Sequence, residues 1–212
     1  MVHAPDRAQV ALGNPSYVWR FGQDRRLTLI RTFVPLEHAR ILDIGCGVGT
    51  YVRRLREFTP HVVGVDIDPA RLRNGARDTP GLMLAASESL PFRDGTFDLV
   101  LLNEVIEHVR DDRRTLEEAT RVTRPGGHIV VFAPNRWFPF ETHGIYLGRR
   151  FVFGNIPLVN YLPNPLRDRL VPHARVYTGA GMERLIRGLD ADVVERTRIY
   201  PGFDNITARR RW

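Results

Sequence analysis

The stretch ILDIGCGVGTY, residues 41–51, decides the fold. An apolar run that ends in glycine predicts a buried β-strand, and the residues after the glycines have helical spacing. Between them, Gly45, Gly47 and Gly49 let the backbone turn tightly and approach a ligand closely. The free N–H groups at the start of the helix add hydrogen-bond donors to this loop. The stretch therefore predicts a strand-loop-helix unit with a ligand-binding loop.

The spacing of these glycines separates two classes of nucleotide ligand. A dinucleotide-binding loop has the pattern G-x-G-x-x-G, whereas here Thr50 stands at the position of the third glycine. The carboxylate of Asp43, two residues before the loop, would repel a pyrophosphate but suits an ammonium or sulfonium group. Asp66 ends the next strand, where an acid accepts hydrogen bonds from ribose hydroxyls in such folds. The alternative role for Asp66, a helix N-cap, fits Asp68 better.

Strand-like and helix-like segments alternate on both sides of this loop. The predicted strands cover residues 40–44, 61–65, 81–85, 97–102 and 128–133. Continuous apolar strands in repeated β-α units predict a parallel sheet with helices on both faces. A helix over 178–189, a strand over 192–199 and a returning strand from Ile206 come after an irregular, proline- and aromatic-rich segment.

We divide the single predicted domain into four parts. These are an N-terminal helical cap (1–36), a cofactor-binding core (37–135), an insertion (136–176) and a C-terminal helix with hairpin (177–212). A lid over the ligand-binding site is the preferred role of the insertion, since a closed lid excludes water from the site. Its apolar and basic part, residues 145–171, could instead contact a membrane surface or another subunit.

Composition excludes several classes of protein. The chain has 212 residues, a formal net charge of +7 and 43% hydrophobic residues, which excludes extensive disorder. All 31 basic residues are arginine and are scattered among acids, so we expect no specific nucleic-acid partner. No apolar run is long enough to span a bilayer, and no secretory signal is visible. With a single cysteine, Cys46, the protein is predicted to be cytoplasmic.

Four segments together resemble the ordered motifs of class I S-adenosylmethionine-dependent methyltransferases. They are ILDIGCGVG (41–49), VVGVDIDPARL (62–72), SLPFRDGTFDLVLLNEVIEHV (89–109) and RVTRPGGHIVVFAPN (121–135). The resemblance implies a doubly wound, mostly parallel, seven-stranded α/β sheet that ends in an antiparallel C-terminal hairpin. It also implies S-adenosylmethionine as cofactor and a small-molecule acceptor that is aromatic, lipid-like or glycosyl. A nucleic-acid methyltransferase and a non-catalytic S-adenosylmethionine-binding module remain as alternatives.

The resemblance also implies a set of cofactor-binding residues. They are Asp43, Gly45, Cys46, Gly47, Gly49, Asp66, Ile67, Ser87, Glu88 and Asn103. In the family pattern Asp43, Gly45 and Gly47 line the methionine moiety, and Gly49 forms the turn. Asp66 holds the ribose, Ile67 packs on adenine, Ser87 and Glu88 flank the adenine edge, and Asn103 lies at the mouth of the site. Ala86 departs from the pattern, because many relatives have an aspartate there that accepts from the adenine amino group. Cys46 lies between glycines without a neighbouring base, which favours packing over a reactive thiol.

The segment NEVIEHV carries candidates for chemistry on the acceptor. Glu104, Glu107 and His108 have i, i+3, i+4 spacing and would share one face if the segment were helical. This pattern resembles that of quinone-type O-methyltransferases and small-RNA 3′-end methyltransferases, where it can hold a metal. The three residues could bind a divalent cation, His108 could act as a general base, or they could only orient the loop. We commit to no metal.

A second histidine, His143, comes after the fifth strand in the segment PNRWFPFETHG. Its aromatic neighbours suggest an acceptor pocket, although they could instead pack the loop on the edge of the sheet. His108 and His143 are therefore the two candidate catalytic bases. His173 is interpreted as structural, or as a further ligand to a metal held by His108.

Overall fold

The computed structural model describes residues 21–199 and is built on a parallel five-stranded sheet in the order β3-β2-β1-β4-β5. The strands are β1 (Ile41–Ile44), β2 (Val62–Asp66), β3 (Leu82–Leu84), β4 (Phe97–Asn103) and β5 (Thr123–Phe132). The helices around the sheet are α1 (Phe21–Phe33), α2 (Thr50–Leu55), α3 (Pro69–Gly75) and α4 (Asp112–Val122). In register, Ile41 of β1 lies between Val62 of β2 and Leu99 of β4.

The sheet separates two hydrophobic cores, because successive side chains of a strand point to opposite faces. Ile41, Leu99 and Leu101 pack with buried residues of α1 and α2 on one face. Leu42 and Val100 pack with the buried face of α4 on the other. The α/β architecture with helices on both faces is therefore confirmed.

The strand order reverses between β1 and β4, and this reversal positions the site. In open parallel sheets, ligands bind in the crevice outside the carboxyl ends of the two strands at such a switch point. The loop from Gly45 to Gly49 begins where β1 ends, and the turns of residues 104–109 begin where β4 ends. Both segments therefore lie at the same edge of the sheet.

The insertion forms a small layer with its own core. Its elements are β6 (Phe140–Glu141), β7 (Ile145–Leu147), β8 (Arg150–Val152), β9 (Ile156–Pro157), a 3₁₀ helix (Val159–Tyr161) and α5 (Asn164–Leu170). β6 pairs with β9, and β7 pairs with β8 as an antiparallel hairpin. The buried residues of this layer are Ile145, Val159, Val171 and Ala174. A last helix, α6 (Gly179–Ile186), comes after it.

The prediction of seven strands with a C-terminal hairpin is not met in the described part of the chain. Residues 191–199 form no strand, and the expected partner strand from Ile206 lies outside the described residues. Val193 and Val194 are exposed, and no neighbouring strand within residues 21–199 pairs with them. A strand needs such a partner for its backbone groups, so local alternation does not suffice. The antiparallel hairpin that the structure describes is β7–β8, inside the insertion.

No helix within residues 21–199 combines the length and apolar character needed to cross a bilayer.

A buried carboxylate, Glu118 of α4, attaches that helix to the segment before β4. Its oxygens accept hydrogen bonds from the backbone N–H of Leu90 and from the guanidinium of Arg121, each at 2.8 Å. The Arg121 hydrogen bond, opposed in part by burial, lowers the pKa of Glu118 to about 2 from an ordinary 4.5. Folding therefore favours the ionised form of this carboxyl.

This pKa predicts a specific acid sensitivity. A group with a lowered pKa stabilises the fold above its unfolded value, and the stabilisation disappears as the pH falls through the folded value. We expect Glu118→Gln to reduce the loss of stability between about pH 4.5 and pH 2, measured by urea unfolding at several pH values. Glu117→Gln, on the more exposed neighbour, should leave that profile unchanged. Parallel profiles for wild type and Glu118→Gln would contradict the assignment.

Candidate active site

The glycine loop has a backbone that only glycines adopt without strain. Gly45, Gly47 and Gly49 have φ values of 69°, 57° and 77°. A Cβ on Gly45 would lie 2.4 Å from Cγ2 of Val105, in the segment after β4. The loop is therefore packed directly against the segment that carries Glu107 and His108.

Two buried carboxylates flank this loop. Asp66 accepts the backbone N–H of Gly47 at 2.8 Å and that of Asp68 at 2.8 Å, so it orders the loop. Burial, and secondarily the charge of Asp66, raises the pKa of Asp43 to about 8. A buried acid whose ionised form is disfavoured in this way is relieved by a cationic ligand group. The predicted N-cap role of Asp68 is confirmed, since its side chain accepts from Ala70 and Arg71.

The residues expected around the adenine follow the carboxyl ends of β2 and β3 in the chain. Ile67 directly follows β2 and is 71% exposed, which leaves an apolar side chain free to contact a ligand. Ser87 lies 3.0 Å from the hydroxyl of Thr115 and donates to Glu88. One oxygen of Glu88 accepts the backbone N–H groups of Arg110 and Asp111. Both side chains therefore join this edge to the start of α4.

Cys46 is buried and packs against Gly64 of β2. Burial raises the pKa of its thiol, and the nearby carboxylates raise it further. The thiol is therefore unreactive, and Cys46 can contact a ligand in the loop only through its backbone.

Helix α1 contributes a residue that sequence analysis missed. The guanidinium of Arg26 donates to Oδ1 of Asn103 at 2.7 Å and to Oε1 of Glu104 at 2.6 Å. It also lies over the ring of Phe132, 5.2 Å from its centroid. No local motif marks Arg26, because its partners lie more than seventy residues along the chain.

The condition under which Glu104, Glu107 and His108 would share one face, a helical segment, is not met. Residues 104–109 form turns, and Glu104 has the left-handed φ of 56°. Its backbone N–H donates to the carbonyl of Phe132, and its carboxylate pairs with Arg26. Glu104 is therefore directed to the α1 side and does not join the other two residues.

His143, and not Glu104, lies together with Glu107 and His108. Oε1 of Glu107 lies 3.9 Å from Nε2 of His108 and 3.8 Å from Nε2 of His143. The two imidazole rings meet edge to face with centroids 5.1 Å apart. We call these three residues the Glu107–His108–His143 cluster. It brings together the two histidines that the sequence offered as catalytic candidates.

Comparison with known proteins identifies the family of the chain. The sequence model of a family described as "Methyltransferase domain" matches residues 42–131. The demethylmenaquinone methyltransferase of Beutenbergia cavernae is 32% identical over 170 residues, which cover 72% of this chain and 71% of that protein. The chain belongs to the class I S-adenosylmethionine-dependent methyltransferases.

Two further proteins resemble this methyltransferase. The demethylmenaquinone methyltransferase of Streptomyces avermitilis is 35% identical over 127 residues, covering 57% of this chain and 55% of that protein. An S-adenosylmethionine-dependent methyltransferase of Mesorhizobium loti has 19% identity and a TM-score of 0.64, with 86% of this chain and 88% of that one covered. The second likeness supports the fold. The chain is thus an S-adenosylmethionine-dependent methyltransferase.

Polar groups around the cluster orient its two histidines. Nδ1 of His143 lies 2.8 Å from Oε1 of Glu141, and the other oxygen of Glu141 accepts from the buried guanidinium of Arg167 at 2.9 Å. Nδ1 of His108 lies 2.9 Å from the backbone carbonyl of His173. The His173 side chain itself contacts the backbone carbonyl of His143 and the rings of Tyr146 and Phe151.

The surroundings shift the pKa values of the three residues of the cluster in different directions. Burial raises the pKa of Glu107 and lowers that of His108. Although burial alone would lower it, the pKa of His143 rises to about 9 because Glu107 and Glu141 favour its charged form. The surroundings therefore favour the neutral form of His108 and the charged form of His143.

Proposed function

We propose that this methyltransferase methylates a small aromatic acceptor whose ring carries an ionisable hydroxyl. The observation that carries the proposal is the Glu107–His108–His143 cluster, two of whose residues follow Val105 on the segment that packs against Gly45. Proton-accepting groups next to the cofactor loop are needed when the acceptor must be ionised before it attacks. Ionisation of a ring hydroxyl activates its oxygen and, by delocalisation, the ring carbons.

The methyl donor in this proposal is S-adenosylmethionine, which supplies an already activated methyl group on a sulfonium sulfur. The residues present fit it: positive-φ glycines leave room at the loop, and Asp43 is a buried acid whose ionised form a cation would stabilise. When bound, S-adenosylmethionine would supply this methyl group and would leave as the thioether, while the hydroxyl proton of the acceptor would pass to the cluster. The protein's main task is to align the acceptor in line with the bond between this methyl group and sulfur.

The acceptor class rests on the insertion and on the relatives. Trp137 and Phe140 lie near the start of the insertion that contributes His143. The insertion therefore supplies aromatic side chains as well as one residue of the cluster. The two relatives described above are named for demethylmenaquinone, an aromatic and lipid-like compound. An aromatic ring with an apolar tail is therefore the proposed acceptor type.

A transfer screen tests this function. Purified protein with methyl-labelled S-adenosylmethionine is offered phenols and quinols with and without an isoprenoid tail, glycolipids, tRNA and duplex DNA. We expect label in the tailed aromatic compounds. Label confined to glycolipid or nucleic acid would contradict the proposal. Tight S-adenosylhomocysteine binding with no label in any acceptor would support a non-catalytic binding module instead.

Cofactor selection gives a separate prediction. Calorimetry should detect binding of S-adenosylmethionine and S-adenosylhomocysteine but not of NAD, because the loop lacks the third glycine and has buried acids beside it. Asp66→Ala should weaken S-adenosylhomocysteine binding by about 1–3 kcal/mol, the range for losing a buried hydrogen-bond partner.

Asp68→Ala is the matched control for Asp66→Ala. It removes the N-cap of α3 and should lower stability by about 1 kcal/mol while leaving S-adenosylhomocysteine affinity close to wild type. Equal affinities for Asp66→Ala and wild type would remove Asp66 from the site. Tight NAD binding without a response to S-adenosylhomocysteine would overturn the cofactor assignment.

We also propose that the insertion contacts an anionic membrane surface from which a lipid-like acceptor is taken. Trp137 and Tyr161 have ring centroids 6.2 Å apart, and both are exposed together with Leu158, the residue between β9 and the 3₁₀ helix. Exposed Arg149 and Arg150 lie at the β7–β8 turn. A surface that exposes both apolar side chains and arginines suits lipid headgroups. The cytoplasmic location stays a prediction.

Vesicle sedimentation tests this contact. Wild type should bind vesicles that contain phosphatidylglycerol, and Trp137→Ser with Leu158→Ser should weaken binding about tenfold or more. Val193→Ser with Val194→Ser, which removes exposed apolar side chains outside the insertion, is the control. Equal losses for the two double variants, or binding only to neutral vesicles, would refute a specific contact by the insertion.

A further inference from the structure

We propose that the Glu107–His108–His143 cluster is a binding site for a divalent transition-metal ion of the zinc class. The ligands are a carboxylate oxygen of Glu107 and Nε2 of each histidine, and the remaining coordination positions face the acceptor. The binding itself is independent of the proposed function, whereas its catalytic role rests on that function.

The first step is the convergence of the donor atoms. One donor atom from each of the three residues lies within 4.8 Å of the others. Ligand atoms around a tetrahedral ion with bonds of 2.0–2.1 Å lie about 3.4 Å apart. The Glu107–His108 and Glu107–His143 separations of 3.9 and 3.8 Å therefore need to contract by only about half an ångström.

The second step is the direction of the imidazole lone pairs. Nδ1 of His143 faces a carboxylate oxygen of Glu141, and Nδ1 of His108 faces the carbonyl of His173. Both partners only accept hydrogen bonds, so each Nδ1 carries the proton. In the neutral ring, Nε2 then presents a lone pair, which in His143 becomes available when the metal ion displaces the Nε2 proton. In both rings Nε2 is the atom nearest Glu107. Metal-binding histidines are oriented in this way by carboxylates and carbonyls.

The third step is the unsatisfied carboxylate. The side chain of Glu107 is fully buried, and neither of its oxygens accepts a hydrogen bond within the described residues. An isolated buried carboxylate is strongly unfavourable unless it is paired or binds a metal. Glu107 is aimed between two imidazoles that are too distant for good hydrogen bonds, and a cation between the three groups would satisfy all of them.

The donor set selects the kind of ion. Two imidazoles and one carboxylate suit zinc and its first-row neighbours, whereas magnesium prefers an all-oxygen octahedron. The motif as it stands in the sequence would have given two carboxylates and one imidazole, but Glu104 pairs with Arg26 instead. With three protein ligands, at least one coordination position stays open for an acceptor oxygen, whose hydroxyl would ionise more readily on a bound cation.

Cobalt(II) absorption tests the site without measuring turnover. The protein is treated with a chelator, freed of it, and titrated with Co²⁺. We expect the visible d–d bands of four- or five-coordinate cobalt, removed by one equivalent of Zn²⁺ and untouched by excess Mg²⁺. Competition with a chromophoric chelator gives the Zn²⁺ affinity. Glu107→Gln, His108→Ala and His143→Ala should each weaken it at least tenfold, and Glu141→Gln about 10–100-fold.

Glu104→Gln is the decisive control, because it removes the other carboxylate of the sequence motif and should leave Zn²⁺ affinity unchanged. S-adenosylhomocysteine binding by each variant verifies that the fold survives. Only octahedral, aqueous-like cobalt spectra, or Zn²⁺ affinity equal in His143→Ala and wild type, would overturn the site. Metal binding without methylation of any hydroxylated aromatic would instead refute the proposed acceptor and leave the site intact.

Discussion

Arg167→Met is expected to lower the free energy of unfolding by about 3–5 kcal/mol, the largest stability effect that we predict. Arg167 is 1% exposed and donates to Glu141, to Oδ1 of Asn160 and to the carbonyl of Ala174. Its removal leaves the buried carboxylate of Glu141 with no guanidinium beside it. Breaking such a pair is much more destabilising than the pair's net stabilisation suggests.

Urea unfolding measures this effect, and the same helix supplies the control. Arg169 is an exposed arginine of α5, so Arg169→Met makes the same chemical change without burying a charge. We expect less than about 0.5 kcal/mol from it. Adding Glu141→Gln to Arg167→Met should recover part of the loss, because it removes the unpaired charge. Similar unfolding midpoints for Arg167→Met and Arg169→Met would show that the pair does not hold the insertion.

His108→Ala is expected to lower turnover by roughly 10²–10⁴-fold while leaving S-adenosylhomocysteine affinity nearly unchanged. The side chain is 43% exposed, so its loss removes little packing. Proton removal from the acceptor accounts for a rate factor of this size. Chelation of the wild-type protein should cause a similar loss that Zn²⁺ reverses, whereas Zn²⁺ should not rescue His108→Ala.

His61→Ala provides the comparison, since it removes an exposed histidine from the loop before β2. It should change neither turnover nor stability. Loss of turnover in His108→Ala that shrinks as the pH rises, in a protein indifferent to chelators, would identify a metal-free base. Unchanged turnover per molecule together with a lower melting temperature would reduce His108 to an orienting role.

The sheet could be predicted from the sequence because its strands are short apolar runs bounded by glycine or proline. The predicted strands 40–44, 61–65 and 97–102 agree with β1, β2 and β4 within one residue at each end. The segment 192–199 has similar local character but forms no strand. Whether a strand forms there depends on a partner strand, which the segment's own residues do not reveal.

The site was harder to predict because its residues are brought together by distant contacts. The spacing of NEVIEHV would bring Glu104, Glu107 and His108 together only in a helix, but Arg26 and the carbonyl of Phe132 hold Glu104 in a left-handed turn. Sequence analysis identified His108 and His143 separately and gave no reason for their contact. That contact depends on how the insertion packs, including the buried Arg167–Glu141 pair, and no local pattern encodes it.

The core and the insertion supply different residues of the proposed site, and this has an evolutionary consequence. The family match ends at residue 131, whereas His143 and the pair that supports it lie beyond that point. The residues proposed to bind the methyl donor and those proposed to act on the acceptor can therefore diverge in sequence at different rates. Under the proposed function, two relatives with equally similar cores need not share an acceptor, and grafting residues 136–176 onto another core would transfer substrate preference together with His143 of the cluster.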